Sequence, residues 1–217
     1  MRGEPGIGKT RLATECLAFA ARQTFATHHV LVLDFGAATG TDPLRAVFQS
    51  LLGLSEAAAS NALTDAAHGL LLESDFGADD EAFVFDLLDL PLSVDALAFY
   101  GAIENTTRNR RKIDLVARML EKRAREQPQI VLIEDMHWAD PVTMDLCACL
   151  VARSSDCSAV ILMTSRVEGD PFDSEWRALT GTTSIYTVDL RPLSQHETQQ
   201  LAAVAGGIKR RGWPPRW

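Results

Sequence analysis

The sequence is short of positive charge, of long apolar runs and of cysteine. Its 217 residues carry 21 Lys and Arg against 29 Asp and Glu, a net charge of -8. Nucleic-acid-binding domains are usually basic, so direct nucleic acid binding through overall charge is not expected, while a local basic site for phosphates remains compatible. No stretch reaches the ~20 apolar residues of a membrane span. The opening Met-Arg-Gly-Glu-Pro-Gly has no apolar core like that of a signal peptide. No membrane partner is expected, and the default compartment is the cytoplasm. The four cysteines, Cys16, Cys147, Cys149 and Cys157, show neither Cys-x-x-Cys spacing nor an accompanying His-x-x-x-His, which speaks against a zinc site. They read as buried reduced thiols acting as small hydrophobes. What is present is ordinary. Hydrophobic residues at 47% and charged residues at 23% suit one large globular domain with a core of its own.

Periodicity supplies the elements. Apolar residues at Leu12, Ala13, Cys16, Leu17 and Ala20 predict a helix from Lys9 to Gln23. A branched apolar run, His29 to Phe35 ending at Gly36, predicts a strand. Asp42 before Pro43 is a helix start, Asp as cap and Pro at the first helical position. Residues 54–127 read as inserted helices with breaks near Asp75–Asp80 and Pro91–Ser93. The last, Asn109 to Gln127, sets Asp114 four before Arg118 and Glu121 four before Arg125. The run Arg108-Asn-Arg-Arg-Lys112 reads first as a solvated helix start, with contact to a phosphate or a partner subunit as the alternative. Gln129 to Asp135 places four consecutive aliphatic residues before two acids, as a central parallel strand covered on both faces requires. A helix from Asp140-Pro141 to Arg153 follows, then strands at Ala159–Thr164 and Ser184–Leu190, and a capping box at Ser194 and Glu197. Strands alternating with helices predict an α/β fold with a parallel sheet.

The chemistry concentrates at two places. Gly3-Glu-Pro-Gly-Ile-Gly-Lys-Thr10 satisfies G-x-x-x-x-G-K-[ST] without a mismatch. Its glycines let backbone N–H groups converge on phosphates, and the following helix start adds its own free N–H groups and positive dipole end. Lys9 is placed to put a charge on the β- and γ-phosphates of ATP, and Thr10 to offer a hydroxyl to Mg²⁺. The phosphate-binding set is Gly3, Glu4, Pro5, Gly6, Ile7, Gly8, Lys9, Thr10 and Arg11. The second place is the end of the buried strand. By position Glu134 is the acid that holds the metal with Thr10, and Asp135 the one that orients or deprotonates the attacking water. Asp is commoner at the metal position, so the two roles could be exchanged. The plainer readings are a Gly-rich turn before a helix and two idle acids at a strand end; finding both motifs in one chain favours the nucleotide site.

Gly-Glu-Pro-Gly-Ile-Gly-Lys-Thr-Arg-Leu12 together with Ile-Glu-Asp-Met-His-Trp-Ala-Asp-Pro141 resembles the AAA-like P-loop ATPases of the STAND class, found in LuxR/MalT-type transcription regulators and beside bacterial adenylate/guanylate cyclases. Phe85 to Pro91, Asn105 to Arg110 and Met163 to Pro171 are similar to the cyclase-associated branch. The resemblance covers about residues 3–205. It implies a three-layer αβα P-loop NTPase fold and a signal-transduction module. In such a module ATP binding and slow hydrolysis switch a multidomain protein between closed and open states. It implies a sensor role for Arg166, whose alternative is a surface arginine at a strand end. His137 and Trp138 belong to the family signature, and packing of the loop beyond the acids is the role preferred for them. Asp140 reads as a helix cap.

The resemblance also implies a buried strand before the glycine loop, at the centre of the sheet between the fourth and fifth strands. Only Met1 and Arg2 precede Gly3, so that first strand is expected to be missing. The effector domain, a cyclase or DNA-binding unit, and a helical-repeat region are expected partners from a parent protein. Residues 1–205 then form the ATPase domain, and residues 206–217 an irregular tail. A loop anchored at one end must lose its freedom when ATP binds, at roughly 1–2 kcal/mol per ordered residue, so weak or absent binding is expected of this chain. The alternatives to a slow regulatory ATPase are a non-catalytic ATP-dependent scaffold and an inert fragment of a cyclase or transcription regulator.

Overall fold

The computed structural model describes residues 1–33, 42–55, 57–194 and 197–200. Helix α1 (Lys9–Arg22) follows the glycine loop and leads to β1 (Ala26–Leu31). Helices α2 (Pro43–Leu51), α3 (Ser60–Leu71), α4 (Glu81–Leu87), α5 (Val94–Ala102) and α6 (Asn105–Glu126) fill the segment up to β2 (Gln129–Glu134). Helix α7 (Pro141–Ser154), β3 (Ala159–Met163) and α8 (Ser174–Leu179) complete the order. The three strands are parallel in the order β1-β2-β3, with Leu31 beside Glu134 and Ile133 beside Met163. Helices α2, α6 and α7 pack on one face and α1 on the other, which makes three layers. The fold is therefore α/β with a parallel sheet, as the alternation predicts, in the three-layer αβα arrangement that the resemblance implies.

Coverage on both faces explains β2. All six of its residues are buried, so every position must be apolar or internally paired. Gln129, the polar exception at its start, donates from Nε2 to Gln127 O and Arg123 O and shares Oε1 with His28 Nε2 at 2.8 Å. Leu115, Met119 and Leu120 of α6 and Leu146 and Leu150 of α7 are fully buried against that face. Arg153 clamps the two helices by bonding Asp114 at 2.9 Å and Glu121 at 2.8 Å.

Several elements differ from the sequence expectation. Strand β1 begins at Ala26 and ends at Leu31 rather than spanning 29–35. Its register is set by pairing with β2, which starts at Gln129; Phe35 and Gly36 lie outside the described residues. Helix α6 begins at Asn105, four residues before the expected start. Asp114 does pair with Arg118, but Glu121 turns to Arg153 and Arg125 to Asp75. Tertiary partners on α7 and at the break before α4 outcompete the neighbour one turn away. Of the four thiols, Cys147 is buried and the other three are half-buried; none is in a disulfide. The capping box is formed, Ser194 N donating to Glu197 Oε2 at 2.7 Å and Glu197 N to Ser194 Oγ at 3.3 Å. The tail at 206–217 lies outside the described residues.

The largest departure is at residues 184–190, expected as a strand. Only Asp189 makes a ladder contact, as an isolated bridge to Arg2, and Arg2 bridges Ser165 on its other side. A lane one strand wide thus separates β3 from residues 182–188. Arg2 fills one step of it, and beside it lies a cavity of about 670 Å³ lined by Met1, Ala159–Met163 and Thr182–Val188. A segment with no neighbour to pair with does not complete a ladder, so residues 184–188 are not sheet.

Candidate functional site

The glycine loop leaves this lane and enters α1. Gly6 and Gly8 have φ of 77° and 103°, left-handed values that a side chain disfavours. Gly8 caps α1 without a side-chain bond, so the first-turn N–H groups have no side-chain acceptor at the cap. Gly3 is closely packed: a Cβ there would lie 2.8 Å from Ile7 Cγ2 and 3.2 Å from Leu190 Cβ. Lys9 is buried, and its ammonium donates to Gly3 O at 2.7 Å and Glu4 O at 3.1 Å. Glu4, Pro5, Gly6, Gly8, Thr10 and Arg11 are exposed and Ile7 is half-buried. Arg11 pairs with Glu15 one turn on, at 2.8 Å, as a solvated helix side chain does.

At the end of β2, Glu134 and Asp135 occupy different environments. The Glu134 side chain is 3% exposed, and its Oε1 lies 2.7 Å from His29 Nε2. His29 and Leu31 share one face of β1, and Leu31 is level with Glu134, so the two side chains meet on the α1 side. Asp135 is 39% exposed and sits at φ 60°, ψ 42°. This left-handed turn is pinned by two bonds to β3's end: Asp135 N donates to Thr164 Oγ1 at 3.1 Å, and Met136 N to Thr164 O at 2.9 Å.

The next residue holds the other motif. Ser165 N donates to Met1 O at 3.0 Å and Ser165 O accepts from Gly3 N at 3.3 Å. On the far side, Arg2 N donates to Val188 O and Leu190 N to Arg2 O, each at 2.8 Å. The Arg2 side chain bonds Asp170 and Asp189 at 2.8 Å. Thr164 and Ser165, both fully buried, therefore tie the acid turn and the base of the glycine loop to one sheet end. Arg166 follows directly, its guanidinium 5.5 Å from the centre of the Trp138 ring. Asp140 caps α7 by accepting from Thr143 N at 2.7 Å, as its position before Pro141 predicts.

Sequence reasoning missed Thr164, Ser165, His29 and Arg2 as parts of this junction. A polar pair closing an apolar strand was a signal for the first two. Nothing local marks His29, because its partner is 105 residues away. Among the described residues no group of three or more His, Cys, Asp or Glu could hold a metal alone. Mg²⁺ keeps several waters and takes one or two carboxylates plus phosphates rather than a protein cage. A hydroxyl at Thr10 and buried Glu134 are hard oxygen donors of the required kind.

A parallel sheet whose ends carry a glycine loop, a helix start and an acid turn defines a P-loop-like nucleotide-binding fold. Residues 2–163 match the AAA ATPase domain family, and the chain belongs to that family. It is similar to an uncharacterized protein, R02095, of Rhizobium meliloti (strain 1021), at 29% identity over 204 residues. That match takes in 92% of this chain and 18% of the relative, so the chain spans about a fifth of that protein's length. No solved structure matches significantly. No helix among the described residues is long and apolar enough to cross a membrane.

Proposed function

We propose that residues 1–205 form the Mg·ATP-binding, slowly hydrolysing regulatory domain of a multidomain signal-transduction protein of the STAND class, with residues 54–127 as its helical insertion. The observation that carries this reading is the Thr164-Ser165 junction, which brings the G-x-x-x-x-G-K-T loop and the acid pair to one sheet end. Family membership supports ATP as the nucleotide. Bound Mg·ATP supplies a phosphoanhydride activated for attack by water. Lys9 releases its loop carbonyls and places its charge on the β- and γ-phosphates. Thr10 and Glu134 would hold the cation, Glu134 being kept oriented by His29. Asp135, open to solvent, orients the water, and Arg166 reads the terminal phosphate.

The start of the loop is held by Met1–Gly3 alone, through backbone bonds to Ser165, Val188 and Leu190, and weak binding is proposed for it. A longer strand in the lane beside β3 would hold Gly3 more firmly before ATP arrives and remove part of the ordering cost. An effector domain, cyclase or DNA-binding, and a helical-repeat region are the proposed partners, and the cytoplasm the proposed compartment. Phosphate release from Mg·ATP tests the reading. Slow turnover that disappears in Lys9→Ala supports it, and turnover equal in wild type and variant contradicts it. Turnover absent from a chain that still binds ATP would favour the scaffold reading.

A further inference from the structure

One side chain outside the loop and the acid pair fastens three of the segments that meet at the junction. The Arg2 guanidinium bonds Asp189 with one edge of its fork, Nε to Oδ1 at 2.8 Å and Nη2 to Oδ2 at 3.0 Å. Its remaining nitrogen, Nη1, reaches Asp170 Oδ2 at 2.8 Å. A planar fork can hold two carboxylates in fixed directions, which a lysine ammonium cannot. The Asp170 side chain is 12% exposed and that of Asp189 50%. An ion pair as open as the second adds little to stability; what it fixes is geometry.

Each carboxylate leads to a different part of the candidate site. Asp189 precedes Leu190, whose N–H donates to Arg2 O and whose Cβ lies 3.2 Å from where a Cβ on Gly3 would stand. Holding Arg2 against Asp189 therefore holds the step that enters the glycine loop. Asp170 closes a short turn that leaves β3 at Ser165 and reverses at Gly169, with φ of 72°. Ser165 is bonded to Met1 O and Gly3 N, and Asp170 to Arg2. Both ends of this turn are thus fastened to the same three residues, and between the ends stands Arg166, stacked over Trp138.

We propose that Arg2 is a positioning residue with two separable tasks. Through Asp189 it holds the glycine loop for phosphate binding, and through Asp170 it sets the turn that carries Arg166. This rests on the reading of Gly3–Thr10 as the phosphate cradle and of Arg166 as the group that reads the terminal phosphate. Because both tasks run through one guanidinium, ordering the glycine loop around ATP also orders residues 166–170.

The full chain, titrated with Mg·ATP and assayed for phosphate release, tests the division. Asp170→Asn keeps the size and removes the charge. It should lower turnover at saturating Mg·ATP about tenfold and leave affinity within about twofold. Asp189→Asn should do the reverse, weakening affinity about tenfold with saturated turnover within about twofold. Arg2→Lys, which keeps the charge and loses the fork, should show both losses. Hydrogen exchange on the wild type needs no variant to fold: Mg·ATP should slow exchange in residues 3–10 and 166–170 together. Asparagine variants that match wild type, or that shift affinity and turnover alike, overturn the proposal alone. So does exchange that slows in the glycine loop and not in 166–170. Nucleotide binding that is absent, or indifferent to Lys9→Ala, overturns it together with the phosphate-site reading.

Discussion

The two halves of the candidate site are built to different standards. The acids stand at the end of β2, which is paired on both sides, buried along its length and backed by α6 and α7. The glycine loop depends on Met1, Arg2 and Gly3, which cross a lane otherwise occupied by a cavity. The same contrast divides the faces of the sheet. The α2, α6 and α7 side carries most of the core, while on the α1 side Phe19 is 59% and Val160 47% exposed. Residue identity and residue support are thus separable: the loop has the letters of a phosphate cradle, and the acid end has the scaffold as well. Binding sites work when the contact groups are held before the ligand arrives, so on the proposed reading the weaker half is the one expected to limit affinity.

The contrast can be broken from the stronger side first. Leu132→Ala, at a fully buried position of β2, should lower stability by about 2–5 kcal/mol in urea unfolding. A smaller loss would mean that β2 is less tightly packed than its burial indicates. Asp135→Asn should reduce turnover about 10²-fold or more with ATP affinity kept, measured as phosphate release beside binding. On the weaker side, Gly3→Ala meets Ile7 and Leu190 and should cost about 1–3 kcal/mol of local packing. Its effect should fall on ATP affinity far more than on the urea midpoint, since the loop contributes little to the core.

The smallest effect is one of pH. His28 is buried between Ser50 and Gln129, and burial lowers its pKa from 6.5. The unfolded chain then takes up a proton near pH 6.5 that the folded chain resists. Stability contributed by the neutral ring is present above pH 6.5 and lost as pH falls toward the folded pKa, with a slope of at most about 1.4 kcal/mol per pH unit. Urea midpoints should fall between pH 7.5 and 5.5, and fall less in His28→Asn, which sharpens the attribution to this side of the sheet. His137, lowered in the same direction, adds to the trend.

What could be read in advance divides along the same line. Local signals were sufficient for α1, for the Asp42 cap on α2, for β2, and for the Asp140 cap on α7, because each rests on neighbours in sequence or on one uniformly buried run. The glycine-loop motif and the two acids at the strand end stand out as sequence patterns for the same reason. Pairing was not. Residues 184–190 have the composition of a strand, yet a strand needs a partner, and only Arg2 reaches it. Arg125 was matched to Glu121 by helical spacing, but Asp75, brought near by the fold, takes it. His29 gains meaning only when β1 lies beside β2. Thr164 and Ser165 look like the ordinary end of a strand until the acid turn and the loop are both found hanging from them.

The most direct measurement is the equilibrium affinity for Mg·ATP of this chain and of one carrying about ten added N-terminal residues designed to fill the lane beside β3. If the half-held loop limits the site, the extension should tighten binding at least about tenfold, with both affinities lost in Lys9→Ala. Equal affinity in the two chains would contradict that claim and show that Met1–Gly3 hold the loop well enough on their own.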